Sequence, residues 1–276
     1  MKPIQKVQRK TPFAKKGFGQ NFLVDANYVD RIIRALAPRK DETIVEIGAG
    51  RGALTEKLVR AGARVVAIEL EREMIRVLKE KFAGAENFRL IESDALKVDF
   101  AEITGNSESQ ISTPKSKLVA NLPYYISTAI LQKLIERRAA FAEMILMFQR
   151  EVVERITAPV GSAERGFLTV LIENYLNAEK LFDVPPTAFR PAPKVTSAVV
   201  RLTPKNDAPV DDDENFRELV SRAFRQKRKT IVNNLKNDYE NAFEVLEKCG
   251  IEANRRAESL GLEEWRRLSR ALIERE

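Results

Sequence analysis

The sequence predicts an α/β fold, a mostly parallel sheet with helices on both faces, followed by a small all-α domain. Three observations carry that reading. Apolar runs of strand length alternate with stretches of helical spacing along most of the chain. A glycine-rich turn joins the first of these strands to the helix after it. The composition shifts near Pro204, and only helical patterns follow.

Residues 1–20 hold Lys2, Lys6, Arg9, Lys10, Lys15 and Lys16 and no acid, as a basic arm would. From Asp25 to Leu36, Tyr28, Val29, Ile32, Ile33 and Leu36 recur on one helical face, and Pro38 stops the helix. Thr43 to Ile47 reads as a buried strand, and Gly48, Gly50 and Gly52 turn it into a helix near Ala53 to Arg60. Arg64 to Leu70 is a second strand, Glu71 to Phe82 a second helix, and Phe88 to Ile91 a short third strand closed by Ser93-Asp94. Gly105 to Lys117 is polar and rich in Ser and Thr, so a surface loop precedes the strand Leu118 to Asn121. A helix near Ser127 to Arg137, a strand Ala142 to Phe148, a helix Glu151 to Thr157 and a strand Val195 to Leu202 complete the alternation. Residues 204–213 are rich in Pro and Asp, as a linker is, and helices follow at Phe216 to Phe224, Thr230 to Leu235, Tyr239 to Lys248 and Glu263 to Ile273. The expected division is therefore an arm at 1–20, an α/β domain at 21–203 and a helical domain at 204–276.

Composition narrows the chemistry. The chain of 276 residues contains one cysteine, Cys249, and no histidine. That removes intrachain disulfides, Ser-His-Asp and Cys-His catalysis, and every histidine or multi-cysteine metal site, so no metal is expected. Carboxylates, amides, lysines, aromatics or a cofactor must do the work. The formal net charge of +7 fits a polyanionic partner and fits simple solubility equally well. No apolar run approaches a membrane span, and none of signal-peptide length follows the basic arm, so a cytoplasmic protein is expected.

The turn Gly48-Ala49-Gly50-Arg51-Gly52 lets the chain reverse tightly and lets a ligand approach the backbone. Nineteen residues beyond Gly50, Glu69 ends the second strand, where an acid can accept from both ribose hydroxyls of a nucleoside. Gly48, Gly50 and Ala53 also satisfy a dinucleotide pattern, so the loop alone is ambiguous. Glu46 favours S-adenosylmethionine: an acid just before the loop suits that molecule's cationic end and sits badly beside a pyrophosphate. Asp94 can accept from the cofactor's adenine amine. Glu46, Glu69, Asp94 and Asn121 all fall at strand ends, where open α/β sheets bind ligands.

Asn121-Leu122-Pro123-Tyr124 follows the fourth strand. Methylating an exocyclic amine requires drawing its lone pair out of the ring and aiming it at the methyl donor. The Asn121 side-chain oxygen and a backbone carbonyl, that of Leu122, can receive both amine hydrogens. Pro123 stiffens the turn and Tyr124 offers a ring for a flipped-out base. No strong base is needed, since the amine becomes acidic once methylated, and alignment supplies most of the rate. The bland reading, an Asn-capped turn beside a core tyrosine, would serve for these four residues in isolation.

With these residues in place, the chain resembles the ribosomal RNA adenine N6,N6-dimethyltransferases, and among them the bacterial small-subunit (16S) branch. The resemblance runs over nearly the whole chain. It rests on Gly19 to Leu23, the glycine loop, Glu69, Ser93 to Ala95, Asn121 to Tyr124, Ile126 to Thr128, Phe189 to Ser197, Arg228 to Thr230 with Asn233 to Leu235, and Ala257 to Leu260. It implies a Rossmann-like methyltransferase domain with a seven-stranded sheet and a helical RNA-binding domain. It implies that Asn21 and Leu23 help hold S-adenosylmethionine with Gly48, Glu69, Asp94 and Asn121, and that Phe189 closes on the target adenine opposite Tyr124. The implied products are N6,N6-dimethyladenosine at two adjacent adenosines of the 3′-terminal hairpin and S-adenosylhomocysteine. The implied partner is 16S rRNA in an immature small subunit; nothing in the sequence demands more than a monomer. The loop at 104–116 is longer than the resemblance leads one to expect. Between 217 and 236, Arg217, Arg222, Arg225, Lys227, Arg228, Lys229 and Lys236 stand against one acid, Glu218. On a helix some of these would share a face; Arg222, Arg225, Lys227, Arg228 and Lys229 are the expected RNA contacts. A large-subunit adenine methyltransferase of the macrolide-resistance type, a non-catalytic nucleic-acid-binding protein of this fold and an NAD-dependent dehydrogenase are the competing readings.

Overall fold

A two-residue strand, Phe22–Leu23 (β1), leads at once into α1 (Ala26–Leu36). The Asp25 carboxylate caps α1 by accepting from the Asn27 N–H at 2.9 Å, and Ala37 ends it at a left-handed φ of 45°. A computed structural model describes residues 21–105, 116–122, 126–205 and 213–273. The expected basic arm at 1–20, most of the polar loop and of the linker, and Pro123 and Tyr124 lie outside the described residues.

The alternation read from the sequence is then realised as β2 (Thr43–Ile47), α2 (Ala53–Arg60), β3 (Arg64–Glu69), α3 (Arg72–Lys81) and β4 (Phe88–Glu92). It continues with α4 (Phe100–Thr104), β5 (Ser116–Asn121), α5 (Ser127–Glu136), β6 (Phe141–Gln149), α6 (Arg150–Ile156), α7 (Phe167–Tyr175), β7 (Leu176–Val184), β8 (Phe189–Arg190) and β9 (Ser197–Pro204). The main sheet has seven strands in the order β4-β3-β2-β5-β6-β9-β7. Only β9 runs against the rest, pairing antiparallel with both β6 and β7. β1 and β8 form a separate antiparallel pair.

The strand order explains where a ligand can sit. From β2 the chain steps outward to β3 and β4, then returns to the other side of β2 as β5. The connections leave β2 and β5 toward opposite sides, the arrangement that in open α/β sheets makes a ligand-binding crevice at the carboxyl ends of the two strands. Residues alternate across the sheet. Val45, Leu118 and Leu146 join one apolar cluster, while Ile44, Val119 and Ile145 join the other. Helices cover both faces, so the central strands are buried on both sides.

Four features have no clear signature in the sequence pattern: α7, β7, α4 and the β1–β8 pair. No glycine or proline separates α7 from β7: Tyr175 ends the helix and Leu176 starts the strand, so the junction lacks a breaker. β1 and β8 have two residues each, too few to show any period.

The C-terminal helices are α8 (Asp213–Ala223), α9 (Ile231–Leu235), α10 (Ala242–Lys248) and α11 (Leu262–Ile273). The change of composition at 204 does not mark a break in packing. Phe216, Leu219, Trp265 and Leu268 belong to the same buried cluster as Val45 and Leu118. Tyr175 meets Phe216 edge-on, with ring centroids 6.1 Å apart. Arg165, 1 % exposed, bonds Glu173 on α7 and reaches the Leu260 carbonyl at 3.3 Å.

Candidate active site

The crevice is built around glycines that the backbone requires. Gly48, Gly50 and Gly52 have φ values of 72°, 53° and 74°, a region that other residues enter at a cost. The Gly48 N–H donates to the Ile68 carbonyl at 2.9 Å, tying the turn to β3. A Cβ on Gly50 would stand 3.2 Å from the Phe22 ring, so β1 closes directly over the loop. The Arg51 guanidinium stacks on the same ring at 4.5 Å. Sequence reasoning does not single out Phe22 or Arg51, although Phe22 lies inside the Gly19 to Leu23 motif.

Glu69 ends β3 nearly buried, and its carboxylate is already engaged. Oε2 accepts from the Gly50 N–H at 2.8 Å, and Oε1 accepts from the N–H groups of Leu70 and Glu71 at 2.9 and 3.0 Å. A carboxylate offers about four lone-pair positions, so roughly one acceptor direction is left for a ribose hydroxyl rather than the two expected. The Gly50 N–H, the group a pyrophosphate would need, is spent on Glu69. A dinucleotide's pyrophosphate would lack that donor.

Asn121 ends β5 across from this turn. Its Nδ2 donates to the Asn21 carbonyl at 3.3 Å, and a Cβ on Gly48 would lie 3.8 Å from the Asn121 carbonyl oxygen. With its nitrogen committed to Asn21, the amide's oxygen is the acceptor that remains. The Leu122 side chain is 2 % exposed in the main core cluster, which anchors the backbone where the turn begins. Leu23 is likewise a core residue, so it can face a ligand through its main chain only. Asp94 follows β4; its Oδ1 accepts from the Leu96 N–H at 2.9 Å, and the neighbouring Ser93 N–H donates to the Glu69 carbonyl at 3.1 Å. Hydrogen bonds thus link Gly50 to Glu69 and Asn21 to Asn121, and these residues gather with Gly48 and Asp94 around the carboxyl ends of β2, β3, β4 and β5.

Two expected residues sit differently from their anticipated roles. Glu46 is 2 % exposed beneath the turn, where the Thr55 hydroxyl donates to its Oε2 at 2.6 Å. Burial, reinforced by the nearby Glu69 carboxylate and opposed by the Thr55 bond, pushes its pKa up to about 8. Near neutral pH it is largely a neutral acid, not the standing anion expected from the sequence. Phe189 is brought to the crevice by β8, opposite Leu23, but its ring is 2 % exposed and packs in the core beside Val29 and Ala188. Stacking on a base would require that ring to leave the core.

The expected RNA-binding cations do not share a helical face. α8 ends at Ala223, and Arg225, Lys227, Arg228 and Lys229 occupy the turn before α9. Arg222 is held by Glu218 and stacks 5.0 Å from the Tyr239 ring, and Arg225 pairs with Asp238 at 3.0 Å. The Lys227 ammonium donates to the Ala163 carbonyl. Arg228 and Lys229 are exposed and make no ion pair among the described residues. Lys227, Arg228 and Lys229 are therefore the cations of this turn that no carboxylate among the described residues neutralises, and Arg228 and Lys229 are the two without a bond to the protein.

The residues present suit S-adenosylmethionine. Acceptors at Glu69, Asp94 and Asn121 surround a glycine-rich turn whose one long side chain, Arg51, lies over the Phe22 ring, and Glu46, not a cation, underlies it. Among the described residues no cluster of His, Cys, Asp or Glu could hold a metal ion, and no helix is long and apolar enough to cross a membrane.

Comparisons with known proteins place the chain in a family. The family described as "Ribosomal RNA adenine dimethylase" matches residues 13–274. A "Ribosomal RNA small subunit methyltransferase A" of Moorella thermoacetica is 43 % identical over 275 residues, covering 96 % of this chain and 95 % of its own. Its namesake in Pseudomonas aeruginosa is 41 % identical over 263 residues, with 95 % of each chain covered. Among solved structures, a dimethyladenosine transferase of Plasmodium falciparum superposes with a TM-score of 0.75 at 28 % identity, over 90 % of this chain and 95 % of that one. The 23S rRNA methyltransferase ErmE gives a TM-score of 0.67 at 25 % identity, over 92 % of this chain and 100 % of that one.

Proposed function

The chain belongs to the ribosomal RNA adenine dimethylase family, and from that membership we propose that it dimethylates N6 of two adjacent adenosines in the 3′-terminal hairpin of 16S rRNA, within an immature small subunit. The observation that supports the chemistry is the Asn121 amide. Its nitrogen is tethered to Asn21, so its oxygen is left to accept from an adenine amine beside the glycine turn. S-adenosylmethionine, when bound, supplies an electrophilic methyl on a sulfonium. Asn121 and the Leu122 carbonyl take the two amine hydrogens and turn the nitrogen lone pair toward that methyl. Pro123 and Tyr124 are assigned the roles of stiffening the turn and stacking the base, and Phe189 that of a second ring once it is released from the core. Glu69 and Asp94 orient the nucleoside, and Asn21 and the Leu23 main chain close it in from β1. The proton leaves from the methylated amine, so no histidine or other strong base is required.

The small-subunit assignment rests on relatives at 43 % and 41 % identity, against 25 % for the large-subunit enzyme. The protein is proposed to act in the cytoplasm as a monomer. Tritium transfer from labelled S-adenosylmethionine onto purified unmodified subunits tests the reading: label is expected in small subunits and not in large ones. Asn121→Ala should lower that transfer by about a hundredfold or more, the cost of misaligning reactants, while cofactor affinity changes only a few-fold. Wild-type turnover by that variant would refute the mechanism.

A further inference from the structure

The β1–β8 pair does more than seal the cofactor turn. Directly opposed residues of an antiparallel pair project to the same face. Leu23 opposes Phe189, and both enter the core. Phe22 opposes Arg190, so Arg190 projects to the other face, the one on which the Phe22 ring lies against Gly50 and under Arg51. Arg190 is exposed and has no ion pair or side-chain hydrogen bond among the described residues.

The chain after Arg190 is stiff. Pro191 and Pro193 fix their own φ angles and restrict the residues before them. The far end is pinned where the Arg150 N–H donates to the Thr196 carbonyl at 3.0 Å, just before Ser197 pairs with Gln149 at the carboxyl end of β6. This bridge therefore runs from the cofactor turn to the neighbouring strand end. It carries Lys194, which is exposed and likewise unpaired among the described residues, and beside it the 42 % exposed Val195. Arg150, the next cation along, is already met by Glu154 and Asp183. Arg190 and Lys194 thus remain as unneutralised cations on a rigid support at the mouth of the crevice.

We propose that Arg190 and Lys194 form a phosphate clamp for the RNA strand on either side of the target adenosine. The inference rests on the RNA-methylating function proposed above. An adenine must leave its stack to reach the crevice, and the backbone flanking it then passes over the rim. Two cations held on a proline-braced turn bind those phosphodiesters without first having to be ordered, and they fix the register of the base against Asn121. This contact is separate from the turn at Arg228 and Lys229, which lies between α8 and α9.

The test uses the full chain, unmodified small subunits and the double variant R190A/K194A, with R190K as the conservative control. The expected result is a rise in KM for subunits of roughly tenfold. The salt dependence of binding should become shallower by about 1.4 in slope, because two single-strand phosphates are no longer neutralised. Cofactor affinity by calorimetry and the melting temperature should stay unchanged, and R190K should retain most of the affinity. If wild-type enzyme labels small subunits but the double variant matches it in KM and salt slope, the clamp is refuted while the function stands. A loss confined to cofactor affinity would also refute it, placing Arg190 on the cofactor instead. Absence of labelling by the wild type would overturn both.

Discussion

At Glu46, burial outweighs the charge the residue carries in water. The folded protein holds its pKa at about 8 against an ordinary 4.5, because desolvation penalises the anion more than the Thr55 hydroxyl helps it. The sign of the effect on stability follows. Below pH 4.5 folded and unfolded chains are both protonated and nothing is lost; between 4.5 and 8 the unfolded chain ionises and the folded one resists, so stability falls as pH rises; above 8 the full penalty is present. Each unit of displacement is worth about 1.4 kcal/mol. Glu46→Gln keeps an oxygen to accept from Thr55 and removes the ionisation. Thermal melts between pH 5 and 9 should show the wild type losing stability relative to this variant as pH rises. Parallel curves would mean that Glu46 ionises normally in the fold. The sequence locates this acid at its strand end but does not reveal its charge, because the closing Thr55 and the overlying turn are three-dimensional neighbours.

Among the elements, α2 depends on how the glycine turn enters it. Gly52 is its N-cap at a left-handed φ, and a Cβ there would come within 2.9 Å of the Phe82 ring, just beyond α3. Gly52→Ala therefore meets both backbone strain and a clash with a buried aromatic. Destabilisation of roughly 2–4 kcal/mol is expected, read as a fall of several degrees in melting temperature. Wild-type stability would show that α2 and α3 can part without cost. The glycine spacing is legible in the sequence because no other residue type permits that conformation so cheaply. The ring that makes Gly52 tight is not, since Phe82 arrives from the next helix.

Over the whole molecule, the helical C-terminal region and the sheet domain share one core. Arg165 is a buried polar part of that joint: it bonds Glu173, within α7 of the sheet domain, and the Leu260 carbonyl, beside α11. Arg165→Ala removes a charge-assisted bond to the part-exposed Glu173 and leaves the buried Leu260 carbonyl without its donor, an expected cost of about 2–3 kcal/mol. Because Phe216 and Trp265 belong to the cluster that also contains Val45, the variant should still unfold in a single transition at lower denaturant. Separate transitions for the two regions would show that the shared core does not couple them.

Local chain chemistry was enough to set the alternation of strands and helices, the glycine turn, and the acids and amide at the strand ends. Each of these is written in short-range periodicity or in a residue type with a single physical use. The remaining features arose only when distant segments met. Folding placed Gly50 against Glu69, tethered Asn121 to Asn21, buried Glu46 and Phe189, and left all the expected RNA-binding cations but Arg222 on a turn. These outcomes depend on which strands become neighbours and on how far each side chain is removed from water, and neither is a property of any short stretch of chain.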